Sequence, residues 1–460
     1  MTVAFATLFL GLVIGVQPVE LVVWEGVARV ELVLDGAVVG EAAGPPWSVP
    51  CDFGQELAPH RLEAVARDAG GGELGRAVQW INLPRPGAEA TVVVEGGEVG
   101  SAAVARLAWE SLGQREPRSV SVSFDGRPLP VADPRAIPLP PHDPAQLHFL
   151  RVEIEFSANL SAVTELVLGG AYREQASTEL TAVPVAIETR RADLEPAEMA
   201  GWFRTVGAGL TPVAVEEGPA EVVVVMDRAA QDALWALAGR WAPSSSGSAV
   251  VVDPRGPLAT PGLRQVRPSP AASLAALRHS MRLGEGQVLR FLWPFSRSQE
   301  GQRVRHDMFA RSEDHPPTHG GVLWLLTAAQ QPPFSRDEQR LADAVAVAGM
   351  SAAARGRRRA VVLVLSEDPA DASRFSPADA RAYLARLGVP LLVWSVGEVS
   401  EAVSGLWGEV RSVRRQPRFR DAVDELSATL TRQRIVWLEG LHLPQEVGLS
   451  ETARGLRLVR

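Results

Sequence analysis

The chain contains no lysine and a single cysteine. All 46 basic residues among its 460 are arginines. Without lysine, the protein cannot form a Schiff base or supply the cation of a phosphate-binding loop. One cysteine, Cys51, excludes intramolecular disulfides and metal sites built from several cysteines. We expect Cys51 to be an apolar residue of a strand, with a reactive or intermolecular thiol as the alternative.

Composition narrows the range of partners. The net charge is −8, from 46 basic and 54 acidic residues, and the pI is about 5.6. An acidic chain argues against a nucleic-acid-binding surface and against a polybasic membrane patch. Hydrophobic residues make up 46% and charged residues 22%, as in ordinary globular proteins. A chain of this length should hold roughly three domains.

The first sixteen residues carry no charged side chain. This run is too short for a transmembrane helix, and it resembles the apolar region of a signal peptide with a cleavage site at residues 13–15. The alternative for residues 1–17 is a buried first strand of the following domain. The signal-peptide interpretation predicts a secreted, periplasmic or envelope protein, and a cytoplasmic location is the alternative.

The first 190 residues contain a repeated β pattern. Asp35-Gly36 and Asp125-Gly126 each separate two strand-like runs, which is a hairpin signal. His60 follows the first aspartate by 25 residues, and His148 follows the second by 23. The repetition predicts two tandem β-sandwiches, at residues 18–85 and 88–175. The first copy resembles bacterial immunoglobulin-like modules in the run Val30-Glu31-Leu32-Val33-Leu34-Asp35-Gly36.

From residue 220 onward, strand-like and helical runs alternate. The predicted strands are 221–226, 249–252, 288–293, 360–365 and 391–395, and the predicted helices are 231–241, 271–281, 321–329, 336–354, 377–387 and 419–432. The alternation predicts a doubly wound α/β domain over residues 220–440, with a largely parallel sheet covered on both faces. Residues 176–219 are expected to form a β bridge. The runs 435–438 and 456–459 should add edge strands, the latter within a C-terminal segment at 441–460.

Two of the predicted strands end in polar residues. The first ends on Asp227, and the strand at 360–365 is followed by Ser366, Glu367 and Asp368. This pattern resembles a von Willebrand factor A domain, in which the first strand ends in Asp-x-Ser-x-Ser and a later one in Thr-Asp-Gly. Those residues form the metal-ion-dependent adhesion site. With immunoglobulin-like modules before it, the layout is similar to secreted von Willebrand A-related proteins of acidobacteria.

The resemblance implies an adhesion site that has lost its metal chemistry. Ala229 and Gln231 stand where the family has serines, and Ser366 stands where it has the second aspartate. A hard divalent cation needs about six oxygen ligands, which this set does not supply. We therefore expect no cofactor, and we expect Asp227 to cap the following helix. The expected binding residues, at the sheet edge where open α/β sheets bind ligands, are Asp227, Gln231, Thr318, Ser366, Glu367 and Asp368.

Other clusters offer alternatives. A replacement site for Zn²⁺ or Mn²⁺ could use Asp227, His315 and His319, because imidazole and carboxylate suit those ions. Glu313 and Asp314 could be a catalytic pair, although paired carboxylates on an acidic protein are usually solvated. A run of arginines follows the long helix and suits its C-terminal dipole, with an anionic partner as the alternative. These arginines are Arg355, Arg357, Arg358 and Arg359.

The sequence favours a non-enzymatic function. It has no Gly-x-Ser-x-Gly elbow, Walker loop or dinucleotide-binding glycine motif. The leading hypothesis is an exported protein that binds or scaffolds a protein partner and associates with the cell envelope. One alternative is a metal-dependent binder or hydrolase using the loop from His306 to His319. Another is a structural stalk that assembles with itself.

Overall fold

The computed structural model describes most of the chain, in two compact units. It describes residues 2–460 apart from 8, 10, 85–87, 96–102, 112–115, 144–145, 147, 158–159, 169–179, 189–193, 206, 242–277 and 301–304. The first unit is 1–56, 60–179 and 299–306, and the second is 57–59, 180–298 and 307–460. The predicted strand 249–252 and most of the predicted helix 271–281 lie outside the described residues. No helix within them has the length and apolar character needed to cross a bilayer.

The first unit begins with a sandwich of two antiparallel sheets. Its strands are β1 (Val3–Phe5), β2 (Val16–Val23), β3 (Arg29–Leu34), β4 (Ala37–Ala42), β5 (Ser48–Asp52), β6 (His60–Arg67) and β7 (Glu73–Ile81). One sheet has the order β1-β2-β5 and the other β4-β3-β6-β7. Inward-facing residues of both sheets, such as Val19 and Leu62, share one core. Cys51 lies in this core, and burial raises the pKa of its thiol to about 11.

The second sandwich repeats this order strand for strand. Its strands are β8 (Ala88–Glu95), β9 (Val104–Ser111), β10 (Ser119–Phe124), β11 (Arg127–Leu129), β12 (Ile137–Pro138), β13 (His148–Ser157) and β14 (Leu160–Leu168). The sheets have the orders β12-β9-β8 and β11-β10-β13-β14. Two facing antiparallel sheets with seven strands are the architecture of immunoglobulin and fibronectin III modules. The β-sandwich modules therefore resemble that class.

The Asp-Gly turns of the two sandwiches carry the same contacts. In the first, the Asp35 carboxylate lies 2.7 Å from His60 Nδ1 and accepts the backbone N–H of Arg61 at 2.8 Å. In the second, the Asp125 carboxylate makes the same two contacts, with His148 Nδ1 at 2.7 Å and the Phe149 N–H at 2.8 Å. Each contact ties the turn to the start of β6 or β13. The Asp–His repeat in the sequence is therefore a repeated structural link.

Residues near the N-terminus belong to the first sandwich. β1 pairs with β2, and Phe9 and Val13 lie in the core. The buried Gln79 side chain accepts the Phe9 N–H at 2.8 Å, and buried Asn82 bonds the Val13 N–H and carbonyl at 2.7 and 2.8 Å. Removing this segment would leave those amides without these partners, which is costly in a core. The structure thus has the arrangement given above as the alternative to a signal peptide.

The second unit contains a parallel sheet and a separate antiparallel layer. Its strands are β15 (Leu180–Ile187), β16 (Phe203–Thr205), β17 (Ala208–Leu210), β18 (Pro212–Glu216), β19 (Ala220–Met226), β20 (Gln287–Glu300), β21 (Arg305–Arg311), β22 (Arg358–Leu365), β23 (Leu391–Ser395), β24 (Val410–Ser412), β25 (Gln433–Glu439), β26 (Gly448–Leu449) and β27 (Leu456–Leu458). Six of these form a sheet in the order β21-β20-β19-β22-β23-β24. β20, β19, β22, β23 and β24 pair in parallel.

This unit has six described helices, most of which pack against the six-stranded sheet. They are α1 (Arg228–Trp241), α2 (Val322–Ala328), α3 (Leu341–Ala353), α4 (Pro377–Leu387), α5 (Glu401–Trp407) and α6 (Gln416–Thr431). Val222 and Val224 of β19 share a core with α1, α2 and α6. Val223 and Val225 are also fully buried, and α3 contacts β19. Both faces of β19 are covered, so its sequence is a continuous apolar run.

The final strands do not extend the parallel sheet as the sequence suggested. β25 and β27 both pair with β15, in an antiparallel sheet ordered β18-β25-β15-β27. The expected bridge at 176–219 and the C-terminal segment thus form one layer of two sheets, this one and a three-stranded sheet ordered β17-β16-β26, with a shared core. Pairing between residues some 250 positions apart leaves no local pattern. The expected boundary at residue 440 therefore falls after a strand that belongs to this layer.

Three local expectations also differ from the structure. The helix expected at 336–354 is a short 3₁₀ helix, Arg336–Glu338, followed by α3, and Gln339 lies at the break. The expected loop from His306 to His319 begins within β21. Helix α5 was not expected at all, because its seven residues are too few to show a clear period.

The first prediction concerns the packing of α3. Val345 is fully buried, and Val347, two residues later, is half-buried. Val345→Asp should lower the free energy of unfolding by at least about 3 kcal/mol, because it buries an unpaired carboxyl. Val347→Asp is the matched control and should cost clearly less. Urea unfolding measures both, and equal costs would show that α3 does not present this face to the core.

The second prediction concerns pH. A hydrogen bond to Asp125 raises the pKa of His148 above its ordinary 6.5, and the same bond lowers the pKa of Asp125 below 3.8. The histidine contribution to stability is lost as pH rises through its raised pKa. The aspartate contribution is lost as pH falls through its lowered pKa. The link should therefore stabilise the second sandwich most between pH 3.8 and pH 6.5, the ordinary pKa values of the two groups.

Asp125→Asn should lower the midpoint of the His148 titration, measured by NMR of the imidazole ring. Asp133→Asn is the control, because Asp133 makes its side-chain hydrogen bond to the Arg135 backbone instead. An unchanged His148 midpoint in Asp125→Asn would contradict the assigned contact.

Candidate functional site

Asp227 lies at the carboxyl end of β19, beside the end of β22. It is fully buried. One carboxylate oxygen accepts the Ala229 N–H at 3.2 Å and the Gln339 amide at 3.0 Å. The other accepts the Ser366 N–H at 2.9 Å and the Ser366 hydroxyl. The Ala229 contact is the helix cap expected from the sequence.

These contacts leave Asp227 little capacity to bind a cation. An ionised carboxylate has about four lone-pair positions, and Asp227 accepts four hydrogen bonds from within the chain. A divalent cation would have to displace donors that are themselves buried. Ser366, which stands at the place of the family's second aspartate, donates a hydrogen bond here instead of supplying a negative charge.

Gln339 completes this network, and no sequence pattern predicted it. Its side chain is fully buried and donates to Asp227 and to the Ala370 carbonyl. Its oxygen accepts the Arg228 N–H at 3.1 Å, at the start of α1. One amide therefore joins the ends of β19 and β22 to the segment before α3. Gln339 is 112 residues from Asp227 along the chain, so only the fold brings them together.

Gln231 does not face Asp227. Its amide donates to the carbonyls of Leu326 at 3.0 Å and Ala329 at 2.7 Å. Those carbonyls lie at the C-terminal end of α2, where the last backbone acceptors lack helical partners. Gln231 therefore joins α1 to α2, and its role is structural.

The histidine-containing loop lies at the other end of the sheet. His315 exchanges backbone hydrogen bonds of 2.7 and 3.0 Å with Leu289, and Leu289 pairs with Val222 near the start of β19. Asp227 follows Val222 by five positions along the chain, which is about 16 Å in a strand. His319 lies beside His315, with ring centroids 5.8 Å apart, and Thr318 precedes it on an exposed turn. The expected trio Asp227, His315 and His319 is therefore not brought together, and Thr318 is not at the Asp227 edge.

Glu367 and Asp368 do lie at the Asp227 edge, and both are exposed. Asp368 pairs with Arg336 at 3.1 Å, and the Asp368 carbonyl accepts a bond from the same guanidinium. Further along this loop, the Asp371 carboxylate accepts the Leu341 and Ala342 N–H groups at 2.8 and 3.2 Å, at the start of α3. The loop after β22 is thus held against α3, with Glu367 and Asp368 facing solvent.

The carboxylates at 313 and 314 do not form a catalytic pair. Glu313 is exposed, whereas Asp314 binds Arg290 and lies 3.4 Å from Arg355. Partial burial raises the pKa of Asp314, but the two arginines outweigh this effect and hold the pKa below its ordinary value. Arg290 also lies 3.0 Å from buried Glu221, whose pKa is raised by desolvation. These groups form an ion network inside the unit.

Arg358 and Arg359 both bind carbonyls at helix C-termini, but of the two only Arg359 reaches the long helix whose dipole was expected to attract this run. Arg358 binds the Leu430 carbonyl in the last turn of α6 at 3.2 Å. Arg359 binds the last carbonyl of α4, Leu387, at 3.0 Å, and that of α3, Ala353, at 3.4 Å. Burial lowers the pKa of Arg359 to about 10. Neither guanidinium is available to an anionic partner.

Within the described residues, no group of three or more histidine, cysteine, aspartate and glutamate side chains is arranged to hold a metal ion. The side chains of His306 and Asp307 lie outside the described part. The geometry at Asp227 is therefore a buried hydrogen-bond network with an exposed acidic loop beside it.

Comparisons with known proteins give similarity for the β modules. No protein-family model and no curated protein matches the chain. Fibronectin(III)-like modules of Clostridium thermocellum CbhA match at 13% identity and TM-score 0.16, over 38% of this chain and 97% of theirs. The central fibronectin-III array of RIM-binding protein matches at 10% identity and TM-score 0.24, over 44% of this chain and 83% of that one. A β-glycosidase from Bacteroides vulgatus matches at 10% identity and TM-score 0.21, over 36% of this chain and 24% of that one.

These TM-scores are too low to carry an argument about function. The matches give no evidence for a von Willebrand A domain. The resemblance of the sandwiches to immunoglobulin and fibronectin modules therefore rests on their own strand order.

The third prediction tests the Asp227 network. A cap alone predicts a loss of about 1 kcal/mol for Asp227→Ala. Because the substitution also leaves the Ser366 N–H and the Gln339 amide without this acceptor, we expect a loss of about 3 kcal/mol. Asp368→Ala is the control, since that side chain is 94% exposed, and it should change stability little. A loss of 1 kcal/mol or less in urea unfolding of Asp227→Ala would contradict the network.

Proposed function

We propose that the chain is a non-enzymatic protein that binds or scaffolds a protein partner at the cell envelope. In this proposal the second unit is a divergent, doubly wound α/β domain of von Willebrand A type that works without a metal ion. The two sandwiches present that unit to its partner.

The observation that carries the proposal is the closed state of Asp227. In the adhesion site that the sequence resembles, the corresponding carboxylate would contribute to a metal site. Here four internal hydrogen bonds occupy it. The parallel order of β19, β22 and β23, with helices against both faces of the sheet, supports the α/β assignment. Its carboxyl edge is where folds of this kind bind ligands.

The metal-dependent alternative loses its geometric support. The candidate site of Asp227, His315 and His319 within that alternative is not formed, because the backbone pairing of His315 lies at the other end of β19. The remaining loop side chains, His306 and Asp307, lie outside the described residues. Self-assembly as a stalk stays a prediction that light scattering across concentration would test.

Export also belongs to this proposal. The uncharged N-terminal segment motivates it, while the buried bonds of Gln79 and Asn82 support retention of residues 3–13 in the mature sandwich. The exported protein should therefore keep this segment.

The fourth prediction is a capture experiment with the full chain as bait on the envelope fraction of the source cell. We expect a specific protein to be captured equally with and without EDTA. Glu367→Arg, at the exposed edge, should reduce capture, and Glu451→Arg, which is exposed near β27, should not. The intact mass of protein recovered from the envelope should include residues 3–13.

Capture that disappears in EDTA would favour the metal-dependent alternative. Failure to capture any specific partner, or equal effects of the two substitutions, would count against binding through this edge.

A further inference from the structure

Phenylalanine and arginine side chains gather where β19 ends, beside the middle of β20. In the parallel register Val224 lies beside Phe291, and Phe295 follows four residues later on β20. The rings of Phe295 and Phe334 stack with centroids 5.3 Å apart and an angle of 8° between their planes. The Arg228 guanidinium lies 5.3 Å from the Phe334 centroid. These three side chains are half-buried, so they present a surface at the edge.

Arg228 differs from the other arginines of this edge. Arg336 pairs with Asp368, and Arg340 pairs with Asp343. Among the described residues, no carboxylate lies within ion-pair distance of Arg228. Within that described part of the chain, its guanidinium donates one side-chain hydrogen bond, to the Gln331 oxygen at 3.1 Å. A guanidinium has five N–H donors, so most of its donor capacity is unused.

The Gln331 amide nitrogen is a second unused donor at the same place. It is buried, and none of the residues that the structure describes accepts a hydrogen bond from it. A buried donor without a partner is costly, and an oxygen from a ligand would relieve that cost once the Gln331 side chain turned toward it. Arg228 and Gln331 together offer donors to one incoming acceptor.

We propose that Arg228, Gln331 and the stacked pair Phe295–Phe334 bind an acidic side chain of a partner protein, an aspartate or glutamate next to an apolar residue. The proposal rests on the proposed protein-binding function and names the chemistry of the partner. A guanidinium binds carboxylates through two parallel hydrogen bonds. The phenylalanine rings receive the apolar neighbour, as aromatic residues do at the centres of protein interfaces. In this proposal, Arg228 supplies the positive charge that pairs with the partner's carboxylate.

The fifth prediction uses two pools of fluorescent hexapeptides on the full chain. Both pools carry Phe or Leu around a central residue, which is Asp in one and Asn in the other. By fluorescence polarisation, the Asp pool should bind about tenfold more tightly, as expected for a charge-assisted bidentate contact. Arg228→Gln should remove this preference, and Arg228→Lys should keep part of it, because lysine keeps the charge without the fork.

The matched control is Arg336→Gln, whose guanidinium already pairs with Asp368. It should leave the preference unchanged, and melting temperatures verify that each variant is folded. Equal binding of the two pools, no binding of either, or an Arg228→Gln variant that still prefers Asp would overturn the proposal. Complete displacement of the Asp pool by millimolar acetate would also overturn it, since that indicates a site for small free anions.

The captured partner separates this proposal from the function on which it rests. If the partner still binds Arg228→Gln at full affinity, the carboxylate site is wrong while protein binding stands. If no partner is captured by the unaltered chain, the proposed function itself fails.

Discussion

The four hydrogen bonds to the Asp227 carboxylate hold together the carboxyl edge of the parallel sheet. They join the end of β19 to the start of α1, to Ser366 after β22 and to Gln339 before α3. A buried carboxylate is tolerated only when donors replace its water. This requirement fixes the ends of two central strands relative to two helices. It also leaves the edge with a neutral hydroxyl and an amide where a cation site would need further oxygen ligands.

At the other end of the sheet, buried arginine side chains are hydrogen-bonded to backbone carbonyls at the ends of helices. Arg358 and Arg359 are neighbours on β22, so their side chains point to opposite faces. Each reaches the last carbonyls of helices on its own side, α6 for Arg358 and both α3 and α4 for Arg359. Burying a guanidinium is costly unless its donors are used, and helix C-termini supply unpaired acceptors. In a chain without lysine, the planar guanidinium fork can reach two helix ends from one position.

Local signals explain which elements could be predicted from the sequence. The bounds of α4 were predicted correctly because Ser376, Pro377 and Asp379 mark its start and Gly388, with φ of 65°, its end. The repeated Asp-Gly turns likewise indicated paired sandwiches. The C-terminal layer could not be predicted, since β15 and β25 meet only in the fold. The candidate site followed the same division: Asp227 and Ser366 end adjacent strands and were predicted, whereas Gln339 and Gln331 carry no pattern. The loop around His315 was expected at the carboxyl edge with Asp227. It lies near the amino end of β19 instead, because His315 pairs with Leu289.

The central claim is that the chain itself occupies the Asp227 carboxylate, which leaves no room for a metal ion at that carboxylate. Isothermal titration calorimetry of the full chain with Mg²⁺ and with Mn²⁺ tests this most directly, with Asp227→Ala measured in parallel. We predict no binding heat in the micromolar range for either protein. Micromolar binding by the unaltered chain that is abolished in Asp227→Ala would contradict the claim and restore a metal-dependent adhesion site.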